Sequence, residues 1–280
     1  HLSSKFVLCQ IVFYQIMIIV KIGGNILDNP SRLHRFLVDF SKLQGPKLLV
    51  HGGGKIASAF GQRLGIEPVM VEGRRVTDAE TLELVTMVYG GLVNKQVVAQ
   101  LQALGCNAIG MTGADANAIL ATKRPVREVD YGFAGDVAGN ESINIAALDA
   151  ILQAGLTPVF APLTHDGKGS MLNTNADTIA SVLATALATK YSVTLMYCFE
   201  KRGVLADAAD DDSVIPHINP QKYKELKETG VVTAGMVPKL DNAFDALSQG
   251  VSQVLIGEAE ALLSIAETDT PFAGTTISLD

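Results

Sequence analysis

Three glycine-marked turns, each directly after an apolar run, carry the residues of this chain best suited to chemistry. The first is Lys21-Ile22-Gly23-Gly24-Asn25. A lysine ending a buried strand is costly unless its ammonium snorkels to water or meets an anion. The second, His51-Gly52-Gly53-Gly54-Lys55, leads into a helical stretch. Consecutive glycines there let backbone N–H groups approach an anion at a helix N-terminus. The stretch lacks Walker A spacing, but Gly52, Gly54 and Ala57 satisfy G-x-G-x-x-A, with Glu72 roughly where a ribose-binding acid would fall. A dinucleotide site is therefore an open alternative, as is a merely structural turn. The third, Gly235-Met236-Val237-Pro238-Lys239, opens a helix with a lysine in its first turn. The macrodipole disfavours a cation there, so either the lysine is simply exposed or an anion shares its site.

Between these turns lies Leu172-Asn173-Thr174-Asn175-Ala176-Asp177, before a long apolar helix. Asn173 or Asn175 can cap that helix, but two Asn and an Asp at i, i+2 and i+4 are more polar equipment than one cap needs. Arg75, within Gly73-Arg74-Arg75-Val76-Thr77-Asp78, has the planar fork that clamps a carboxylate, and Thr77 or Asp78 would cap the next helix. The five histidines are scattered without ligand spacing, so no structural metal is expected. No Gly-x-Ser-x-Gly elbow or reactive-cysteine signature is present.

Alternating strands and helices must position these residues. Apolar runs predict strands over 16–22, 47–50, 107–111, 157–161, 193–198, 251–256 and 275–279. Helical periodicity predicts helices over 56–64, 79–104 with a break at Gly90-Gly91, 145–154, 176–189, 220–228 and 239–249. Residues 118–134, β-rich and holding Pro125, read as a hairpin excursion. This alternation predicts an α/β fold with a mostly parallel central sheet. A seam falls near Lys190, with residues 1–16 as an extension of unassigned role, 17–190 as one half and 191–280 as the other.

The 280 residues are 48% hydrophobic, 6% aromatic and without Trp, a composition suited to close-packed helices on a buried sheet. The net charge of −7 excludes a nucleic-acid-binding electrostatic footprint. Three cysteines without a CxxC pair make no disulfide framework, and a reducing cytoplasmic setting is expected. The apolar run 6–20 is short for a membrane span, is interrupted by Gln10 and Gln15, and passes without a cleavage site into Lys21-Ile22-Gly23-Gly24.

Taken in order, Lys-x-Gly-Gly, His-Gly-Gly-Gly, Gly-x-Arg-Val-Thr, Leu-Asn-x-Asn-Ala-Asp and Gly-Met-x-x-Lys resemble the N-acetylglutamate kinase family. Val129–Val137 is similar to that family's central hairpin motif, and the likeness runs from about Met17 to the C-terminus. The resemblance implies the amino-acid kinase fold, a three-layer αβα sandwich, with an acylglutamate-binding half (17–190) and a nucleotide-binding half (191–280). It implies ATP and Mg²⁺ as cofactors, an N-acylglutamate and MgATP as partners, a homodimer, and neither nucleic acid nor membrane as partner. Lys21 and Lys239 would neutralise the transferring phosphoryl group, with Asp177 holding both. Gly53, Gly54, Arg75 and Asn173 would bind the acylglutamate. Gly23, Gly24, Glu200, Gly203, Val204, Leu205, Thr233, Gly235 and Met236 would line the nucleotide site.

The expected reaction is phosphorylation of the side-chain carboxylate of N-acetyl-L-glutamate, a step of arginine biosynthesis. N-succinylglutamate or another N-acyl amino acid is the alternative acceptor. Other classes are an NAD-dependent oxidoreductase using Gly52–Ala57 and a non-catalytic metabolite sensor. Two stretches depart from the family pattern. The usual Leu-Thr-Asp-Val-x-Gly-Val is Tyr197-Cys198-Phe199-Glu200-Lys201-Arg202-Gly203-Val204, and Ala114 and Ala116 stand where Lys and Gly are more usual. The segment after Val251 diverges from arginine-inhibited members, and residues 1–15 do not resemble their N-terminal helix. Insensitivity to arginine is the resulting expectation.

Overall fold

Alternation along the first strand decides the layers. In the computed structural model, which describes residues 15–232, 236–265 and 271–280, β1 runs Ile16–Ile22. Met17 and Ile19 turn to one face of the sheet; Ile18, Val20 and Ile22 turn to the other, and all five are buried. A strand buried on both faces requires helices on both.

The remaining strands are β2 Lys47–His51, β3 Met70–Val71, β4 Arg74–Arg75, β5 Ala108–Met111, β6 Thr122–Lys123, β7 Gly135–Asp136 and β8 Thr157–Phe160. They continue with β9 Leu163–His165, β10 Met171–Asn173, β11 Ser192–Cys198, β12 His217–Ile218, β13 Gln253–Gly257 and β14 Thr275–Ile277. Eight form the central sheet in the order β12-β14-β13-β11-β1-β2-β8-β5. Every pairing in it is parallel except β13 with β14. The others make three small antiparallel hairpins: β3–β4, β6–β7 and β9–β10.

The helices are α1 Gly24–Leu27, α2 Pro30–Lys42, α3 Gly54–Leu64, α4 Ala79–Val85, α5 Asn94–Ala103, α6 Ile145–Gln153, α7 Ala176–Leu187, α8 Pro220–Glu228 and α9 Val237–Ser248. Leu148 of α6, Leu183 and Leu187 of α7 and Leu240 of α9 pack on the Met17 face. Phe36 and Phe40 of α2, Leu84 of α4 and Leu101 of α5 pack on the Ile18 face. The three-layer αβα sandwich expected from the resemblance is the architecture.

Local chemistry sets the helix starts. Asn29, Asp78, Asn144, Asn175 and Asn219 each accept a hydrogen bond from a first-turn N–H, supplying the acceptor that a helix N-terminus lacks. Asp78 and Asn175 thus take the two capping roles left open in the sequence. Two expectations change. Helix α2 was not foreseen, although Leu33, Phe36, Leu37 and Phe40 follow the i, i+3, i+4, i+7 pattern. The break expected at Gly90-Gly91 is instead a π-helical segment, Thr86–Val93, that joins α4 to α5. Its wider turn absorbs extra residues without ending the helix.

The connection from β1 leads to β2 on one side, while the chain leaving β11 goes to β12 and then β13, both on the other. The carboxyl ends of β1 and β11 therefore meet at a topological switch point, where open α/β sheets bind ligands. Residues 1–14, Thr233 and Gly235 lie outside the described residues.

Candidate active site

Two cavities open at the carboxyl edge of the sheet. The first, about 350 Å³, sits at the switch point and is lined by Lys21, Gly23, Gly24, Asp177, Phe199, Glu200, Gly203, Met236 and Lys239, among others. Lys21 is the penultimate residue of β1, and Asp177 lies in the first turn of α7. Their Nζ and Oδ1 atoms are 2.7 Å apart, with side chains 12% and 30% exposed. The contact is an ion pair by distance, but Oδ1 accepts no aligned hydrogen bond. An acid in the first turn of α7 also sits favourably at the positive end of the helix dipole.

Lys239 reaches the same cavity from the first turn of α9. Its Nζ lies 3.7 Å from the centroid of the Phe199 ring, and no ion pair to Asp177 forms among the described residues. Of the two lysines expected at Asp177, Lys21 makes the ion pair, while Lys239 rests on an aromatic face with Asp177 near enough to favour its charge. Burial lowers the Lys239 pKa, Lys21 lowers it further, and Asp177 and Glu200 act in the opposite sense. Phe199 in turn stacks on the buried Tyr197, at 6.3 Å between centroids. The departure at 197–202 therefore has a local account. Phe199 receives a lysine, while Lys201 and Arg202 pair with Asp211 at 2.6 Å and Asp212 at 2.7 Å.

Beside this cavity, Gly203, Val204, Leu205, Val231, Val232 and Met236 line an apolar pocket of about 140 Å³. Of the residues expected at a nucleotide, the structure brings Gly23, Gly24, Glu200, Gly203 and Met236 to the first cavity, and Gly203, Val204, Leu205 and Met236 to this pocket.

The second main cavity, about 210 Å³, is lined by Gly52, Gly53, Gly54, Arg75, Asn173 and Asn175, with Arg74, Tyr89, Arg124, Gly135 and Thr174. It shares the N-terminal approach to α7 with the first: Asn173–Ala176 face one and Asp177 the other. Gly53 has φ 151°, and a Cβ there would meet Tyr89 Cδ1 at 2.9 Å, so the π segment and the glycine loop fit only without a side chain. Arg75 is buried and its Nη2 donates to Gly54 O at 2.9 Å and Ser58 Oγ at 2.8 Å. That edge of the fork already ties β4 to α3, so Arg75 is a braced cation rather than a free two-pronged clamp. Asn173 Nδ2 donates to Thr77 Oγ1 at 3.0 Å, joining the β10 end to the start of α4.

Arg124 was not foreseen. It lines this cavity with its guanidinium held by Asp136, Nε to Oδ1 at 3.0 Å and Nη2 to Oδ1 at 2.5 Å. The signal in the sequence was the expected hairpin: β6 and β7 pair Thr122 with Asp136, and Arg124, one residue beyond β6, reaches back to that carboxylate. Glu72, the ribose-acid candidate, sits with φ 50° in the tight turn between β3 and β4. It does not end a strand beside the glycine loop, so the dinucleotide geometry is absent.

His51 is wholly buried, and desolvation pushes its pKa down to about 4. It stays neutral at physiological pH. Among the described residues no group of three or more His, Cys, Asp or Glu could hold a metal ion, and no helix is long and apolar enough to cross a membrane.

The comparisons agree with this geometry. The model of the amino acid kinase family matches residues 17–258. The chain is 58% identical over 252 residues to an acetylglutamate kinase of Cytophaga hutchinsonii, covering 90% of this chain and 94% of that one. It is 60% identical over 244 residues to an acetylglutamate kinase of Phocaeicola vulgatus, covering 87% and 94%. The crystal structure of smu.665 from Streptococcus mutans superposes with a TM-score of 0.71 at 28% identity, covering 94% of this chain and 99% of that one. With both lysines, the glycine loops and the sandwich in place, the chain belongs to the amino acid kinase family and, within it, to the acetylglutamate kinases.

Proposed function

We propose that this protein transfers the γ-phosphoryl group of ATP to the side-chain carboxylate of N-acetyl-L-glutamate, a step of arginine biosynthesis. One observation carries the reading: Lys21, paired with Asp177, and Lys239 converge in the switch-point cavity, directly beside the glycine-loop cavity.

The residues divide the work by charge. A glutamate-type side-chain carboxylate has a reference pKa of about 4.3, so it arrives ionised and needs no general base. His51, buried and neutral, serves as none. One carboxylate oxygen attacks the γ-phosphorus, the bond from that phosphorus to the β,γ-bridging oxygen breaks, and ADP leaves with the electron pair. The product is an acyl phosphate, and no proton moves. The obstacle is repulsion between anions, which positioned cations and amides relieve. Lys21 and Lys239 meet the charge on the transferring group, and Asp177 orients Lys21. Gly53 and Gly54 offer amides, while Arg75 and Asn173 bind the acid in the second cavity. Gly23 and Gly24 approach the nucleotide phosphates. Glu200, Gly203, Val204, Leu205 and Met236 surround the rest of the nucleotide.

Mg²⁺ characteristically takes one or two carboxylates and completes its shell with phosphate oxygens and water, which suits a cavity whose carboxylates are Asp177 and Glu200. Bound there with the nucleotide, it would supply further neutralisation of phosphate charge. The cytoplasm is the compartment in this reading, supported by the free, buried Cys106 and Cys198, and the homodimer follows from the family resemblance.

A coupled assay of ADP release with N-acetyl-L-glutamate and MgATP tests the proposal. N-succinyl-L-glutamate run in parallel tests the acyl group. No turnover on any acylglutamate would overturn the reaction, and a strong preference for the succinyl acid would overturn the acyl assignment. Light scattering at twice the chain mass is expected for the dimer, and unchanged rates with added arginine for the lack of feedback.

A further inference from the structure

His51 touches neither main cavity, yet it ends β2 directly before the glycine loop and is fully buried. Its Nδ1 lies 2.7 Å from Gly52 O, and its Nε2 lies 3.1 Å from Asn94 Nδ2. A carbonyl oxygen only accepts and an amide nitrogen only donates, so one tautomer satisfies both contacts: Nδ1 carries the proton and Nε2 accepts. Asn94 Nδ2 also donates to Val159 O at 2.9 Å, which anchors the arrangement to β8.

The loop beyond the ring has a consistent polarity. Gly52 O accepts from His51, Gly53 O accepts from the Ala57 amide at 2.9 Å, and Gly54 O accepts from Arg75 at 2.9 Å and Ser58 at 3.0 Å. Three successive carbonyls are taken by protein donors. Neither the Gly53 nor the Gly54 amide meets a protein acceptor among the described residues, and both glycines line the acid cavity. In a trans peptide the C=O and the following N–H point in opposite directions, and no cis bond occurs among the described residues. Fixing Gly52 O toward the buried ring therefore turns the Gly53 N–H away from it. Glycine adopts φ on either side of zero, so the Gly52–Gly53 peptide plane depends on contacts such as this one.

We propose that His51 is a positioning residue for phosphoryl transfer: its Nδ1–H fixes the Gly52–Gly53 peptide so that the Gly53 amide faces the anionic reactants. The inference rests on the reading above. The imidazole does no acid–base work; it acts through the peptide plane it holds.

Two substitutions separate its ring nitrogens. In H51N the side-chain amide nitrogen occupies nearly the place of Nδ1, keeping the donor to Gly52 O and losing the Asn94 contact. In H51Q the side-chain oxygen reaches the place of Nε2, keeping the Asn94 contact and losing the donor. H51N is expected to retain kcat within about fivefold, the scale of one ordinary hydrogen bond. H51Q is expected to lose about a hundredfold in kcat, the scale of one preorganised donor to developing charge. A merely structural histidine predicts that activity follows thermal stability, in whichever order the variants fall. The proposal predicts that H51N outranks H51Q in kcat even when both are assayed well below their melting temperatures.

Equal losses in the two variants, or H51Q outranking H51N, would overturn it. Should H51N fail to fold, N94A replaces it: that variant leaves the Nδ1 contact in place and should keep kcat within about fivefold, against the large loss in H51Q. A loss in N94A as large as that in H51Q overturns the proposal. A wild-type enzyme inactive on every acylglutamate would instead remove the reaction on which the proposal depends, and that result is scored first.

Discussion

At the scale of single residues, the site separates two lysines that would otherwise repel each other. Asp177 compensates Lys21. Phe199 compensates Lys239 with a ring quadrupole rather than a second anion, so the cavity stays net attractive to phosphate. Removing the Lys239 charge should therefore act on turnover rather than on acid binding. For Lys239→Met, kcat should fall by roughly a hundredfold or more while the calorimetric Kd for the acid changes little. An unchanged kcat would remove Lys239 from the phosphoryl site.

His51 makes a different prediction, about stability. Its folded pKa is near 4 against an unpaired value of 6.5. Between those values the unfolded chain takes up a proton that the folded chain does not, so stability falls as pH falls through that window. The full effect is on the order of 3 kcal/mol. Urea midpoints compared at pH 7 and pH 4.5 should drop further for the wild type than for H51Q, which has no imidazole. Equal drops would show that the buried ring is not the titrating group.

At the scale of elements, the glycine loop and the π segment explain each other. The π turn brings Tyr89 against Gly53, and a side chain at 53 would force them apart. A second element shows strain where the family pattern is broken. Ala116 has φ 54° within the short turn at Asp115–Asn117, followed by Asn117 at 50°. A left-handed conformation costs a Cβ-bearing residue roughly 1–2 kcal/mol, whereas glycine adopts it freely. Ala116→Gly should stabilise the protein, by about 1 kcal/mol or somewhat less because glycine also loosens the unfolded chain. Chemical denaturation measures it, and a lower midpoint for the variant would refute the strain.

At the scale of the whole molecule, one sheet carries both halves. β1, from the half expected to bind acid, pairs along nearly its full length with β11, from the half expected to bind nucleotide. The seam at Lys190 is a boundary of chain segments lying within that shared sheet, and we propose that the two halves unfold together. Because the two main cavities flank the start of α7, each ligand should stabilise the same cooperative unit. Scanning fluorimetry should show a single transition. N-acetyl-L-glutamate and MgATP should each raise it, with about 2.7 kcal/mol expected from either at a hundred times its Kd, and NAD should leave it unmoved. A shift with NAD alone would return the dinucleotide reading to contention.

Much of this was written in local sequence. The apolar runs of 16–22 and 193–198, the glycines after β1 and β2, and the caps at Asp78 and Asn175 depend on contacts within a few residues, and short-range sterics and hydrogen bonds fix those. The order of the motifs was enough to indicate the family. Other features depend on residues far apart in the chain, whose meeting is set by how strands order themselves in the sheet. Lys21 meets Asp177 only because β1 and α7 pack together. Lys239 rests on Phe199 because α9 and the end of β11 share a cavity. Arg75 is braced by Gly54 and Ser58, which follow a different strand. Local pattern nominated residues suited to meet phosphate and acid. What holds each of them was set by packing between distant segments, because burial and pairing energies depend on neighbours that local pattern does not name.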